Sequence, residues 1–187
     1  MTLKLYNTLT QRLEALKLQT GAALGMYACG PTVYDFAHIG NFRTFIFQDL
    51  LRRYLVSTGY RLTHVMNITD VDDRIIVNSR AAGVSLKDYT IRYAEAFFED
   101  MGKLRVQRPE IIPWATQHID EIVELILKLR ENGYTYERDG STYYRIIRFP
   151  DYGKLSHLDP ATIQTEGQID ADAVSYTHLT LPTTPYV

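Results

Sequence analysis

"ALGMYACGPTVYDFAHIGNFRTF", residues 23–45, decides how this chain folds. Its first seven residues are a short apolar run with Gly30 and Pro31 directly after it, which reads as a buried strand closed by a turn. From Phe42 to Ser57 apolar residues recur at helical spacing: Phe42, Phe45, Ile46, Leu50 and Tyr54, joined by Phe47, Leu51 and Leu55 on a broad face. Arg52 and Arg53 mark the wet side, so this helix is expected to be deeply packed and to end at Gly59. "YRLTHVMNI" (60–68) is rich in β-formers and follows at once. Strand, helix, strand in this order makes a parallel pair through a right-handed crossover, an α/β signature.

Further along, "RIIVNSRAAG" (74–83) predicts a helix, and a second is expected from Ser85, its N-cap, to about Lys103. The latter turns Leu86, Tyr89, Tyr93, Ala96, Phe97 and Met101 inward. Pro109 and Pro113 break the pattern and mark a boundary. Beyond it, Gln117 to Asn132 is amphipathic with Gly133 past its end, and "YTYERDGSTYYRI" alternates around Asp139-Gly140, a strong hairpin signal. A second, smaller α+β module is expected there. From Ala173 to Val187 the sequence carries no charged residue and shows no helical period.

The chain has 187 residues, 45% of them hydrophobic, enough for one ordinary domain or a larger one with part of a second. A net charge of -2 gives no basic excess, so composition by itself points to neither nucleic acid nor a membrane surface. The single cysteine excludes an internal disulfide. The first residues are too polar for a signal peptide, and no apolar run is long enough to span a bilayer. The expectation is a cytoplasmic protein without membrane or DNA partners.

Ligands of open parallel sheets sit at the carboxyl ends of strands, where Cys29 and its loop lie. His38 and Asn41 fall within one turn of the start of the Phe42 helix. Backbone N–H groups, a helix dipole, an imidazole and an amide thus converge in a phosphate-binding arrangement. Gly40 lets a bound group approach the backbone. Taken singly, each residue also has a purely structural reading: Asn41 as an N-cap, His38 as a hydrogen-bonded loop histidine, Cys29 as a small buried hydrophobe. Asp70, Asp72 and Asp73 admit a magnesium site, or the carboxylates a helix start favours in any case. His64, His118, His157 and His178 lack metal-ligand spacing and read as strand, surface or tail residues.

"CGPTVYDFAHIGNFRTF" together with "NITDVDDRII" resembles the cysteinyl-tRNA synthetases, class I enzymes whose His-Ile-Gly-His signature is often His-Ile-Gly-Asn in this family. The likeness extends to "LKLYNTLTQRLEAL" and "ATQHIDEIVELILKLRENGYTY" and runs from about residue 3 to residue 172. It implies a Rossmann-like nucleotide-binding half-domain over 1–108, a partial connective insertion over 109–172, and a tail, 173–187, foreign to the family. It implies that His38, Gly40 and Asn41 hold ATP, taken with Mg2+, and that His38 and Asn41 serve catalysis. It assigns Cys29, Gly30 and Thr69 to the substrate cysteine, with Cys29 a zinc ligand. Zinc favours sulfur and deprotonates a coordinating thiol, which would select cysteine over serine.

The implied reaction is attack of the cysteine carboxylate on ATP, giving cysteinyl-adenylate, then transfer to tRNA(Cys). In the family the other zinc ligands and a Lys-Met-Ser-Lys-Ser loop come from later sequence, so these residues are expected to be an N-terminal part, inactive alone. Other readings remain open on sequence. One is the cysteine ligase of mycothiol synthesis, with the same adenylate but an amino-sugar acceptor. Another is a non-catalytic nucleotide-binding module, and a third is a nucleotidylyltransferase of the same superfamily.

Overall fold

The computed structural model describes residues 3–16, 23–138, 140–157 and 178–179. The chain divides into two compact units, Leu18–Ile119, and Met1–Lys17 with Asp120–Val187. In chain order the elements are β1 (Lys4–Asn7), β2 (Arg12–Ala15), β3 (Leu24–Ala28), α1 (Ile39–Ser57), β4 (Leu62–Met66), α2 (Asp73–Ala82), α3 (Leu86–Lys103), α4 (Ile119–Glu131), β5 (Thr135–Arg138), β6 (Ser141–Tyr144) and β7 (His178–Leu179).

In the first unit β3 and β4 pair in parallel, in register from Leu24↔Leu62 to Ala28↔Met66, with α1 as the crossover. A third extended segment lies on the far edge of β4. Met66 N donates to Ile111 O at 3.0 Å, Ile111 N to His64 O at 3.2 Å, and Ile68 N to Pro113 O at 2.8 Å. Pro113 has only a carbonyl to give and is asked only for that, so a proline sits in the pairing without leaving a donor unmet. Residues 111–115, which sequence reading groups with the insertion, therefore pair with β4 and the chain just past it, and the first compact unit runs to Ile119.

Local chemistry closes the helices. Asp72 caps α2, accepting from Ile75 N at 2.9 Å, and Gly83, at φ 67°, ends it in the left-handed region. Ser85 caps α3 as the sequence predicts, accepting from Asp88 N at 3.0 Å.

The core of this unit gathers Val33, Phe42, Phe45, Met66, Ile68, Ile75, Ala94, Phe97 and Met101. Phe97 is its centre, stacked on Phe42 at 5.6 Å and edge-on to Phe45 at 4.9 Å. On α3, Ala94 is fully buried where sequence reading turned Ala96 inward. α1 departs further from expectation. Only Phe42, Phe45 and Leu55 are buried along it, while Phe47 and Leu50 are 64% and 63% exposed. Among the described residues of this unit, one side of the helix faces the core and the second apolar stripe has no element over it. Nor is Arg52 a solvent residue. Its side chain is 12% exposed, pairs with Glu110 and donates to Arg108 O at 2.9 Å, tying α1 to the third extended segment.

The second unit is described by itself. β1 and β2 form an antiparallel hairpin, Lys4↔Ala15 to Asn7↔Arg12. The His157 ring meets Thr8 O at 2.7 Å, so residues 3–16 pack with the later sequence. β5 and β6 pair from Thr135↔Tyr144 to Arg138↔Ser141, the two-residue hairpin the sequence predicts. Gly140 is at φ 77°, and Asp139 lies outside the described residues. Of the tail 173–187, only His178–Leu179 is described, paired with Tyr143 and Thr142; the expectation for the rest lies outside the described residues.

His64, read from sequence as a strand or surface residue, is a core group on β4. It is 3% exposed, and neither ring nitrogen has a hydrogen-bond partner among the described residues. Burial foremost, then the positive charge of Arg52, lowers its pKa below 6.5, with Glu110 and Asp49 opposing. The unfolded chain therefore takes up this proton first as pH falls. Stability is expected to drop as pH descends below 6.5 and to level off below the folded-state value. Urea denaturation at about pH 7.5 and about pH 5 measures the slope, and His64→Leu should flatten it. Phe97→Ala should cost about 3–5 kcal/mol by the same method, because it empties the middle of the aromatic cluster.

Candidate functional site

Cys29 follows β3 directly, and its thiol is exposed, so the reading of this residue as a buried hydrophobe does not hold. The loop after it keeps pairing with the chain beyond β4. Thr69 N donates to Pro31 O at 3.0 Å and Val33 N to Thr69 O at 3.1 Å. Gly30 lies so close to that neighbour that a Cβ there would sit 1.7 Å from the carbonyl oxygen of Asn67. No other residue fits without moving a strand end. Gly30 N also donates to Asn67 Oδ1 at 3.2 Å.

At the other end of the loop, His38 and Asn41 form the start of α1, whose first residue, Ile39, lies three before Phe42, where the periodicity begins. His38 is the N-cap: its Nδ1 accepts from Gly40 N at 3.0 Å, and Asn41 Oδ1 accepts from His38 N at 3.0 Å. This is a capping box with histidine in the place usually held by serine or threonine. The cap expected of Asn41 thus belongs to His38, with Asn41 as its reciprocal partner. Gly40 makes room for the imidazole, since a Cβ would meet its Cε1 at 2.7 Å. An imidazole accepting at Nδ1 carries its proton at Nε2, so His38 presents an N–H donor at a helix start that has no acidic residue in its first turn.

The loop between is clamped from α2 and α3. Tyr89 Oη donates to Tyr34 O at 2.8 Å, Arg74 lies 5.3 Å over the Tyr34 ring, and Arg92 lies 5.5 Å over Phe36. Hydrogen bonding with Tyr89 foremost, then burial, raises the Tyr93 phenol above 10.0. A cavity of about 420 Å³ opens under this loop, lined by Cys29, Gly30, the loop itself, His38, Asn41, Thr44, Phe45, Tyr93 and Phe97. It brings Cys29, Gly30, His38 and Asn41 together. Gly40 and Thr69 are not on its wall; Thr69 instead joins the loop through its backbone and through Asn67 Nδ2, 3.1 Å from its hydroxyl.

Sequence reading missed Asn67, Thr44 and Tyr93. Asn67 could have been found: with Ala28 opposite Met66, the next step of the register sets it against Cys29. Of the aspartates, Asp72 is the cap of α2, and Asp70 is buried, accepting from Thr116 N at 2.9 Å and from the Thr116 hydroxyl. Both have structural work, and the magnesium reading finds no support in their geometry. No group of three or more His, Cys, Asp or Glu suited to a metal occurs among the described residues. Zinc takes about four ligands, or three and an open position, so Cys29 with the described neighbours does not by itself amount to a zinc site.

The sequence model of the family described as "tRNA synthetases class I (C) catalytic domain" matches residues 15–177. Proteins named "Cysteine--tRNA ligase" are similar over most of the chain. The one from Solibacter usitatus is 52% identical over 92% of this chain and 37% of its own length. That from Brachyspira hyodysenteriae is 53% identical over 82% and 32%, and that from Methanosarcina mazei 48% over 91% and 36%. The chain thus spans about a third of the length of the curated relatives it matches. A crystal structure of the Agrobacterium radiobacter K84 LeuRS–tRNA–LeuAMS ternary complex matches 66% of this chain and 17% of its own at a TM-score of 0.56 and 19% identity, a likeness of fold. A parallel α/β unit with its cavity at the strand ends and a family match over residues 15–177 agree: the chain belongs to the class I tRNA synthetase (C) catalytic-domain family.

Proposed function

We propose that this chain carries the ATP- and amino-acid-handling part of a cysteine–tRNA ligase, which makes cysteinyl-adenylate and passes the cysteine to tRNA(Cys) in the cytoplasm. One observation carries this reading: a single cavity at the end of β3 is lined by Cys29, Gly30, His38 and Asn41, in a chain about half identical to ligases of that name. The fold reads as a Rossmann-like half-domain followed by part of a connective insertion. Among the described residues no helix is long and apolar enough to cross a membrane.

In the reaction a carboxylate oxygen of cysteine forms a bond to the α-phosphorus of ATP, the bond from that phosphorus to the α,β-bridging oxygen breaks, and pyrophosphate leaves with its Mg2+. The attacking carboxylate is already ionised, so no protein nucleophile or general base is required. What the step needs is alignment and donors for the charge that builds on the phosphate oxygens. The start of α1 suits this need. Its dipole points outward with no acidic side chain in its first turn, and His38 offers Nε2–H from a ring held by its own cap. Thr69 and Gly30 belong to the amino-acid end, beside Cys29.

His38 serves two purposes, and two variants separate them. His38→Ala loses both the cap and the donor, so it should lower stability by about 1 kcal/mol and slow cysteine-dependent ATP–pyrophosphate exchange roughly 10²–10³-fold. His38→Asn keeps a capping oxygen and should recover the stability but not the rate. Exchange that is absent in the wild-type protein carrying this chain, or unchanged in His38→Ala, would defeat the reading.

A further inference from the structure

The geometry points to Asn67 as a positioning residue that holds the Cys29–Gly30 corner and sets which way the Thr69 hydroxyl donates. What this means for binding cysteine rests on the ligase reading above.

Asn67 stands one residue past β4, half-buried, at the meeting of the two parallel strand ends. Its Oδ1 accepts from Gly30 N at 3.2 Å and from Tyr27 Oη at 3.0 Å. Its Nδ2 lies 3.1 Å from Thr69 Oγ1. A backbone N–H can only donate, so the side-chain atom facing Gly30 must be the oxygen, which settles the orientation of the amide. The nitrogen is then turned to Thr69 and must be the donor. Thr69 Oγ1 accepts, and its own proton has no acceptor among the described residues. A threonine that accepts from Asn67 keeps its proton turned away from that neighbour and available to donate elsewhere, which suits a carboxylate oxygen of an amino acid.

The backbone makes the same contact rigid. Gly30 rests against the Asn67 carbonyl with no room for a Cβ, and Pro31 O and Thr69 N close the pairing at 3.0 Å. One residue therefore anchors the chain directly after the cysteine with its side-chain oxygen, and fixes the polarity of the hydroxyl two residues on with its nitrogen. For cysteine activation the consequence is that Asn67 governs the affinity for the amino acid and leaves that for ATP alone, since His38 and Asn41 are held by a separate capping box.

Asn67→Asp and Asn67→Ala separate the two halves of the claim. The aspartate keeps an oxygen for Gly30 and Tyr27 but replaces the donor with an acceptor, so Thr69 must turn its proton inward. In the 187-residue chain, the Gly30 amide resonance and the alkylation rate of Cys29 by iodoacetamide should stay near wild type in Asn67→Asp and move in Asn67→Ala. In cysteine-dependent pyrophosphate exchange by the full protein that carries this chain, Asn67→Asp and Thr69→Val should both raise the KM for cysteine, roughly ten- to hundredfold for a hydrogen bond to a charged group, with the KM for ATP unchanged. Equal rises in both KM values, or an Asn67→Ala chain with the Gly30 resonance and Cys29 rate of wild type, would overturn the assignment. Absence of exchange in the full wild-type protein that carries this chain defeats the ligase reading instead, because the Gly30 and Cys29 measurements need neither substrate.

Discussion

Everything at the site hangs on the parallel pairing of β3 with β4 and on its continuation past both strand ends. Parallel strands need a crossover, and α1 is that crossover, so the register Leu24↔Leu62 to Ala28↔Met66 also determines where the helix must begin. Beyond the strands, the bonds between Thr69 and residues 31–33 keep the two exits side by side, and the glycine at position 30 lets them close to contact. The cavity exists because the loop then has to rise from this seam and travel to the start of α1, arching over Phe45 and Phe97 on its way.

That arch is held by polar and aromatic contacts from outside and by a cap at its end. Tyr89, Arg74 and Arg92 grip its backbone and rings from α2 and α3, and the reciprocal bonds of His38 and Asn41 fasten it to α1. The use of histidine as N-cap joins folding to chemistry. The nitrogen that stabilises the helix is not the nitrogen left to meet a ligand, so one side chain can do both without compromise. Asn67 repeats this division at the other end of the site, with its oxygen spent on the backbone and its nitrogen on a hydroxyl.

Two features show how far the core reaches. Arg52, inside a run that looks solvent-facing, is drawn in because the segment around Glu110 lies along β4 and offers a carboxylate and carbonyls to it. The opposite stripe of α1, with Phe47 and Leu50, stays exposed although it is as apolar as the buried one. A helix carries its amphipathic pattern in its sequence, but burial requires an element on that side.

The sequence by itself determined what local chemistry can determine: the strand, helix, strand order, the cap at Ser85, the two-residue hairpin before Ser141, and the gathering of Cys29, His38 and Asn41 at one end of β3. Periodicity, turn residues and spacing act over a few residues and leave their mark in order. Tertiary structure alone decided that residues 111–115 would line β4, that residues 3–16 would pack with the second unit, that His64 would be buried with no partner for its ring among the described residues, and that Asn67 would link Gly30 to Thr69. These are contacts between residues far apart along the chain or across a strand seam, and their free energy comes from register and exclusion of water, neither of which is written in the neighbours of any one residue.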